Sequence, residues 1–206
     1  MPRAEARNGT GHNANWKARH DAIVDTSARL FAAKGYHATG IVELCEANEL
    51  GKGALYHYIG SKEALLVAIH DRVMDEVLQG AAQITDEGGA PPEQLRRLGR
   101  ALLDTIQRYP DHVWVFLHDF PALTGERAKH FRQRRREYEA TIEKVLQAGV
   151  DAGDFRALDP WLTSRAWLGM HNYTYLWWQR GQRPLVDDIA DPFAEIFMRG
   201  IARRAE

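Results

Sequence analysis

The stretch TGIVELCEANELGKGALYHYIGSKEAL, Thr39 to Leu65, reads as two short helices joined by a tight turn and followed at once by a capped third. Thr39 is a plausible N-cap, and Ile41, Leu44 and Cys45 share one face of the first helix. The chain then breaks from Asn48 to Gly51, which is helix-turn-helix punctuation. The second helix starts near Gly51 and turns Leu55, Tyr58 and Ile59 inward, leaving Lys52, Gly53, Ala54, Tyr56 and His57 outward. Ser61 is the expected N-cap of the third helix.

From Leu50 to Lys62 there is no acidic residue, so the outward face offers cations, hydroxyls and imidazole, the groups that meet a phosphate backbone and groove edges. The run GALYHYIGSKEAL, residues 53 to 65, closely resembles the signature of the TetR family of transcriptional repressors. With LFAAKGYHAT, residues 30 to 39, the resemblance covers nearly the whole N-terminal third. It implies that Lys52 and Ala54 lie nearest the bases, that Gly53 lets the backbone approach DNA, and that Tyr56, His57, Thr39 and Lys62 sit at phosphates. Two positions depart from the family pattern. Glu49 stands where the turn commonly has Gly, and Gly51 where the helix commonly has a Ser or Thr cap. A left-handed turn residue is uncomfortable as Glu, so a reshaped turn or an earlier helix end is expected there.

Composition sets outer bounds. The 206 residues are 45% hydrophobic and 27% charged, with a net charge of -1, which is ordinary for a soluble globular protein. Residues 1 to 75 carry nine Lys or Arg and nine Asp or Glu, so any DNA binding has to come from local placement. The single cysteine, Cys45, falls on an inward face and reads as a small buried hydrophobe. No apolar run is long enough to span a bilayer and Met1 to Asn15 is too polar for a signal peptide, so a cytoplasmic location is expected.

Around the motif the chain reads as helices throughout. Residues 1 to 14 read as a disordered tail whose Arg3 and Arg7 could reach DNA as a basic arm. A helix is predicted over about 17 to 34, ended by Gly35. The Ser61 helix should run to about Gln79, with 80 to 91 as a loop between two parts of the molecule. Further helices are expected over 92 to 108, 110 to 119, 126 to 152, 160 to 180 and 186 to 203, with the 110 to 119 helix apolar all round and therefore buried. The fold class is all-α: a helix-turn-helix DNA-binding domain over residues 15 to 62, and a C-terminal effector-binding and dimerisation domain over residues 63 to 206.

The two last helices decide the assembly. The first shows apolar stripes on opposed faces, Trp167, Met170, Thr174 and Trp177 against Leu168, Tyr175 and Leu176. One stripe fills the subunit core and the other needs a second partner, so a homodimer on a four-helix contact is expected, with Gly200 permitting close approach. Trp114, Phe116, His118, Trp167, Met170, His171, Tyr173 and Tyr175 form an aromatic and histidine-rich set for an effector pocket, with core packing as the competing reading. A small hydrophobic or aromatic effector fits; an acyl-CoA thioester would draw on Arg127, Lys129 or the run Arg132 to Arg136 for its charge. No HExxH, CxxC, nucleophile elbow or phosphate-cradling glycine loop is present, so neither catalysis nor a metal or cofactor is expected. The expected function is a ligand-responsive repressor that binds a palindromic operator in double-stranded DNA. A helical protein-interaction module, or an activating family member, is the alternative.

Overall fold

The recurring apolar spacing becomes helix throughout the computed structural model, which describes residues 6–178 and 183–203, with side chains from residue 13 onward. In chain order α1 spans Ala6–Lys34, α2 Ile41–Ala47, α3 Lys52–Ile59 and α4 Lys62–Glu87. Then come α5 at Pro91–Arg108, α6 at Pro110–His118, α7 at Gly125–Ala152, α8 at Pro160–Asn172 and α9 at Val186–Ile201. Short 3-10 turns sit at Phe120–Ala122 and Tyr173–Leu176, and no strand occurs among the described residues.

Local chemistry sets most boundaries. Gly35, at φ +89°, closes α1 by donating its amide to the Phe31 carbonyl at 2.7 Å. The Ser61 hydroxyl accepts from the Ala64 amide at 3.0 Å and opens α4. Asp159 caps α8 by accepting from the Trp161 and Leu162 amides, and Gly153, in the left-handed region at φ +80°, stops α7. Pro at the first turn starts α5, α6 and α8.

Two hydrophobic clusters result. The smaller joins α1, α2, α3 and the first turns of α4 through Ile23, Phe31, Leu44, Leu55, Leu66 and Ile69. It also recruits Val115 of α6 and Phe131 of α7, from the far side of the expected domain division. The larger holds the rest of α4 with α5, α7, α8 and α9 around Leu98, Leu103, Ile142, Leu146 and Trp167. Helix α4 therefore belongs to both, and Phe116 packs against both.

Several expectations need correction. The backbone of residues 6 to 14 is helical rather than a loose tail, in spite of Gly9 and Gly11, because no proline interrupts it and extending a helix is easier than nucleating one. Arg3 and the Arg7 side chain lie outside the described residues. Helix α4 runs through Gly80 to Glu87, so the inter-part loop shrinks to residues 88 to 90; a Cβ at Gly80 would sit 3.8 Å from Ala101 Cβ, and packing on α5 overrides the weak helix preference of glycine. Helix α8 stops at Asn172 and tightens into the 3-10 turn, so the predicted stripe beyond it loses register: Thr174 is buried while Trp177, of the same stripe, is 47% exposed. A Cβ at Gly200 would meet nothing within 4 Å in the protomer, so no close approach within it uses this glycine, although Arg156 Nε donates to the Gly200 carbonyl at 3.1 Å. Cys45 is half-buried rather than sealed. At the helix-turn-helix corner the turn is not reshaped: Glu49 itself adopts the left-handed conformation, at φ +53°.

Candidate DNA-reading surface and effector pocket

Helix α3 is held from behind. Leu55 and Ile59 are buried, and Tyr58 stacks on Trp16 of α1 with centroids 5.8 Å apart. This pins the rotation of the helix and leaves Lys52, Gly53, Ala54, Tyr56 and His57 on its exposed side. A Cβ at Gly51 or Gly53 would meet nothing within 4 Å, so the N-terminal end of α3 is open to a large partner. Five of the seven residues expected at DNA therefore share one accessible face.

The other two are engaged within the protein. Thr39 is 1% exposed and its hydroxyl donates to the Gly35 carbonyl at 2.9 Å, so it is not free for a phosphate. Nor does it cap α2. Gly40 is the N-cap, and Glu43 reaches back to accept from the Gly40 amide at 2.9 Å while pairing with Lys34. Lys62 donates to the Tyr36 carbonyl and lies over the Tyr36 ring at 4.2 Å from its centroid. Burial pushes its ammonium below the usual lysine range, with the nearby Asp119 carboxylate opposing that shift. Lys62 keeps two of its three donors, so a phosphate role remains chemically open to it.

A cavity lies between α4, α5, α6, α7 and α8, with a volume of ≈ 50 Å³. Its walls are mostly apolar, including Met74, Val77, Leu102, Val113, Phe116 and Leu168, and its polar members are Thr105, Arg135, Tyr138, Glu139 and Asn172. Of the eight residues expected there, Phe116 alone lines it. Trp114 stacks on His118 at 4.3 Å and Tyr175 meets the His118 Nε2 through its hydroxyl at 3.2 Å, forming a separate cluster beside the pocket. Trp167 and His171 are core. The two rings lie 4.2 Å apart and His171 packs so tightly on α5 that a Cβ at Gly99 would be 2.6 Å from its Nε2. Burial lowers the His171 pKa to about 4, so it is a neutral packing residue at pH 7. Met170 is half-buried and Tyr173 largely exposed; neither reaches the cavity wall. The wall residues that the sequence missed, such as Val77 and Leu102, belong to ordinary helical stripes. One signal was present: Arg135 and Tyr138, three apart on α7, bring polar groups to the same helix side.

Helix α6 joins the pocket to the DNA-reading unit. It supplies Val113, Phe116 and Leu117 to the cavity and Val115 to the smaller core. At its start His112 Nε2 lies 3.2 Å from Asp25 Oδ1 of α1, out of line for a hydrogen bond. Past its end, Asp119 faces the Tyr36 amide and Lys62, and burial holds its carboxyl above the usual carboxylate range. Glu63, beside Lys62, pairs with Arg127 and accepts from the Thr124 hydroxyl at 3.2 Å. The α6–α7 corner is thus tied to residues that directly follow α3.

The family model for the C-terminal domain of tetracyclin repressor-like proteins matches residues 88–201, more than half of the chain, and the model for bacterial regulatory proteins of the tetR family matches residues 23–69. The chain belongs to the TetR family. Among curated relatives it is 26% identical over 191 residues to the HTH-type transcriptional repressor KstR2 of Rhodococcus jostii, covering 89% of this chain and 91% of that one. Among solved structures it is similar to AibR in complex with isovaleryl coenzyme A and operator DNA, at 30% identity and TM-score 0.78, over 86% of this chain and 97% of that one. It is also similar to PfmR of Thermus thermophilus, at 29% identity and TM-score 0.81, over 88% and 99% of the two chains. TetR-family proteins are transcriptional regulators. No described helix is long and apolar enough to cross a membrane.

Proposed function

We propose that this TetR-family chain is a cytoplasmic, non-catalytic repressor that binds a palindromic operator as a homodimer and releases it when a small apolar or aromatic effector enters the α4–α8 cavity. The observation that carries this reading is the α6 connection, one helix that both walls the cavity and is fastened to the residues framing α3. At ≈ 50 Å³ the cavity falls well short of the roughly 300 Å³ at which ligand pockets begin. An effector must therefore open it. A ligand that binds the opened state better shifts the population toward it by that differential affinity, and α6 carries the displacement to Asp25, Tyr36 and Lys62. An acyl-CoA thioester is one such effector, in keeping with the likeness to AibR.

Dimerisation follows from the surface. Trp161, Leu162, Tyr173, Leu176, Trp177 and Ile196 are all exposed on α8, the turn after it and α9, an apolar area that a two-fold partner would cover. Pairing there would set two copies of α3 one helical turn of DNA apart, roughly 34 to 36 Å. The division between residues 15 to 62 as reader and 63 to 206 as sensor is part of the proposal. Within the reader, Lys52, Gly53 and Ala54 approach bases while Tyr56 and His57 meet phosphate, with Lys62 able to join them. The test is fluorescence anisotropy on the protein's own upstream DNA. Lys52→Ala and Tyr56→Ala should each weaken binding by roughly 1 to 3 kcal/mol, leaving the dimer mass unchanged. Unaltered affinity in both variants would remove α3 from the DNA contact.

A further inference from the structure

Tyr138 is 7% exposed, forms part of the cavity wall, and its hydroxyl has no hydrogen-bond partner among the described residues. Burial alone raises its pKa, with no bonded group moderating the shift. The hydroxyl is not one of the sealed orphan polar atoms, which belong to Asp25, Ser27, His70 and His112, so the space it faces is the cavity. With no protein acceptor, this donor is free to meet a ligand oxygen. At the rim, one turn away on α7, Arg135 also makes no hydrogen bond to a described residue. Its guanidinium is 3.7 Å from Glu139, too far for one, and hangs over the Phe116 and Phe131 rings. Glu139 is already engaged by Arg165 at 2.8 Å, and Arg165 also reaches Glu143. Of the remaining polar wall residues, Thr105 on α5 spends its hydroxyl on the Ala101 carbonyl at 3.0 Å, and half-buried Asn172 at the end of α8 offers an amide that either kind of ligand oxygen could meet. The rest of the wall, Met74, Val77, Leu102, Val113 and Leu168 among it, is apolar.

Resting on the effector reading above, we propose that the cavity takes an apolar organic acid with two handles. A neutral oxygen acceptor, of ketone or ether type, sits at the buried end and is met by the Tyr138 hydroxyl. A free carboxylate at the other end is met by Arg135. The anion replaces the loose Glu139 contact, and the ligand satisfies both idle donors as it opens the cavity.

The test uses 7-oxooctanoate, octanoate, methyl 7-oxooctanoate and the coenzyme A thioester of the keto acid, titrated calorimetrically into the full-length protein. The keto acid should bind about 2- to 10-fold more tightly than octanoate, and that preference should vanish in Tyr138→Phe. It should bind about tenfold or more tightly than its methyl ester, and that preference should vanish in Arg135→Gln. Without ligand, Tyr138→Phe should melt at or above the wild-type temperature, because it removes a hydroxyl that bonds no described residue; a lower melting point would mean that the hydroxyl serves the fold instead. Binding of the thioester alone, equal binding of acid and ester, or no binding of any of the four overturns the proposal. Operator binding measured in parallel separates the two readings. If it persists while the acids fail, only the ligand class falls; if it is absent, the regulator reading falls too.

Discussion

Glu49 holds a left-handed backbone, at φ +53°, in the turn between α2 and α3, where a side chain with a Cβ is strained by roughly 1 to 2 kcal/mol. Glu49→Gly should relieve most of that, offset in part by the greater freedom of glycine in the unfolded chain. A rise in melting temperature of about 2 to 4 °C is expected, and a fall would show that the Glu49 side chain supports the turn. His70 offers a second test at this scale. It is buried against Phe116 and Phe131, its Nδ1–H donates to the Leu66 carbonyl at 2.8 Å, and its Nε2 is left without a partner. Burial lowers its pKa to about 4, against about 6.5 when unfolded. The imidazole is neutral in the fold, so its contribution is fully present above pH 6.5. It is lost as pH falls toward 4, because the unfolded chain takes up the proton first. His70→Phe should therefore lose less stability than the wild type between pH 7 and pH 5, by about 2 kcal/mol, in denaturant titrations at the two pH values. Equal losses would contradict a buried neutral histidine. Residues differ in how openly they declare such roles. Ser61 could be read as a cap because its partner is three residues away, whereas the burial of Thr39 depended on where the Gly35 carbonyl would lie.

At the scale of elements, nearly every helix was legible because apolar spacing and glycine or proline stops are local. What escaped were places where packing decides. Gly80 has the look of a stop but sits inside α4 against α5, and the stripe through Trp177 requires α8 to continue, while the chain tightens at Tyr173. Pocket residues escaped for a related reason: a cavity wall and a core draw on the same amino acids, and only the meeting of five helices tells them apart. The role of α6 was equally hidden, since Asp25, Tyr36, Lys62 and Asp119 are far apart in sequence. Asp119 makes that role testable. Its charge bears on Lys62, next to the DNA-reading face, and it is held in a partly buried site that disfavours its ionised form. Asp119→Asn should tighten operator binding by roughly twofold to fivefold at low salt, an effect that shrinks as salt screens it. Unchanged or weaker binding would disconnect the end of α6 from the DNA face.

At the scale of the whole molecule, a net charge of -1 gives no general attraction to nucleic acid, so the proposed reading draws affinity from local placement, two acid-free α3 faces on adjacent turns. On the proposed reading, the exposed aromatic and aliphatic surface of α8 and α9 pairs two copies, and opening of the undersized cavity releases the DNA. The most direct measurement compares binding of the full-length dimer to its own upstream DNA and to a scrambled duplex between 50 and 200 mM salt. The account predicts at least about a thousandfold preference for the upstream DNA and a loss of about tenfold or more over that salt range. Equal affinity for the two duplexes, or binding indifferent to salt, would contradict it.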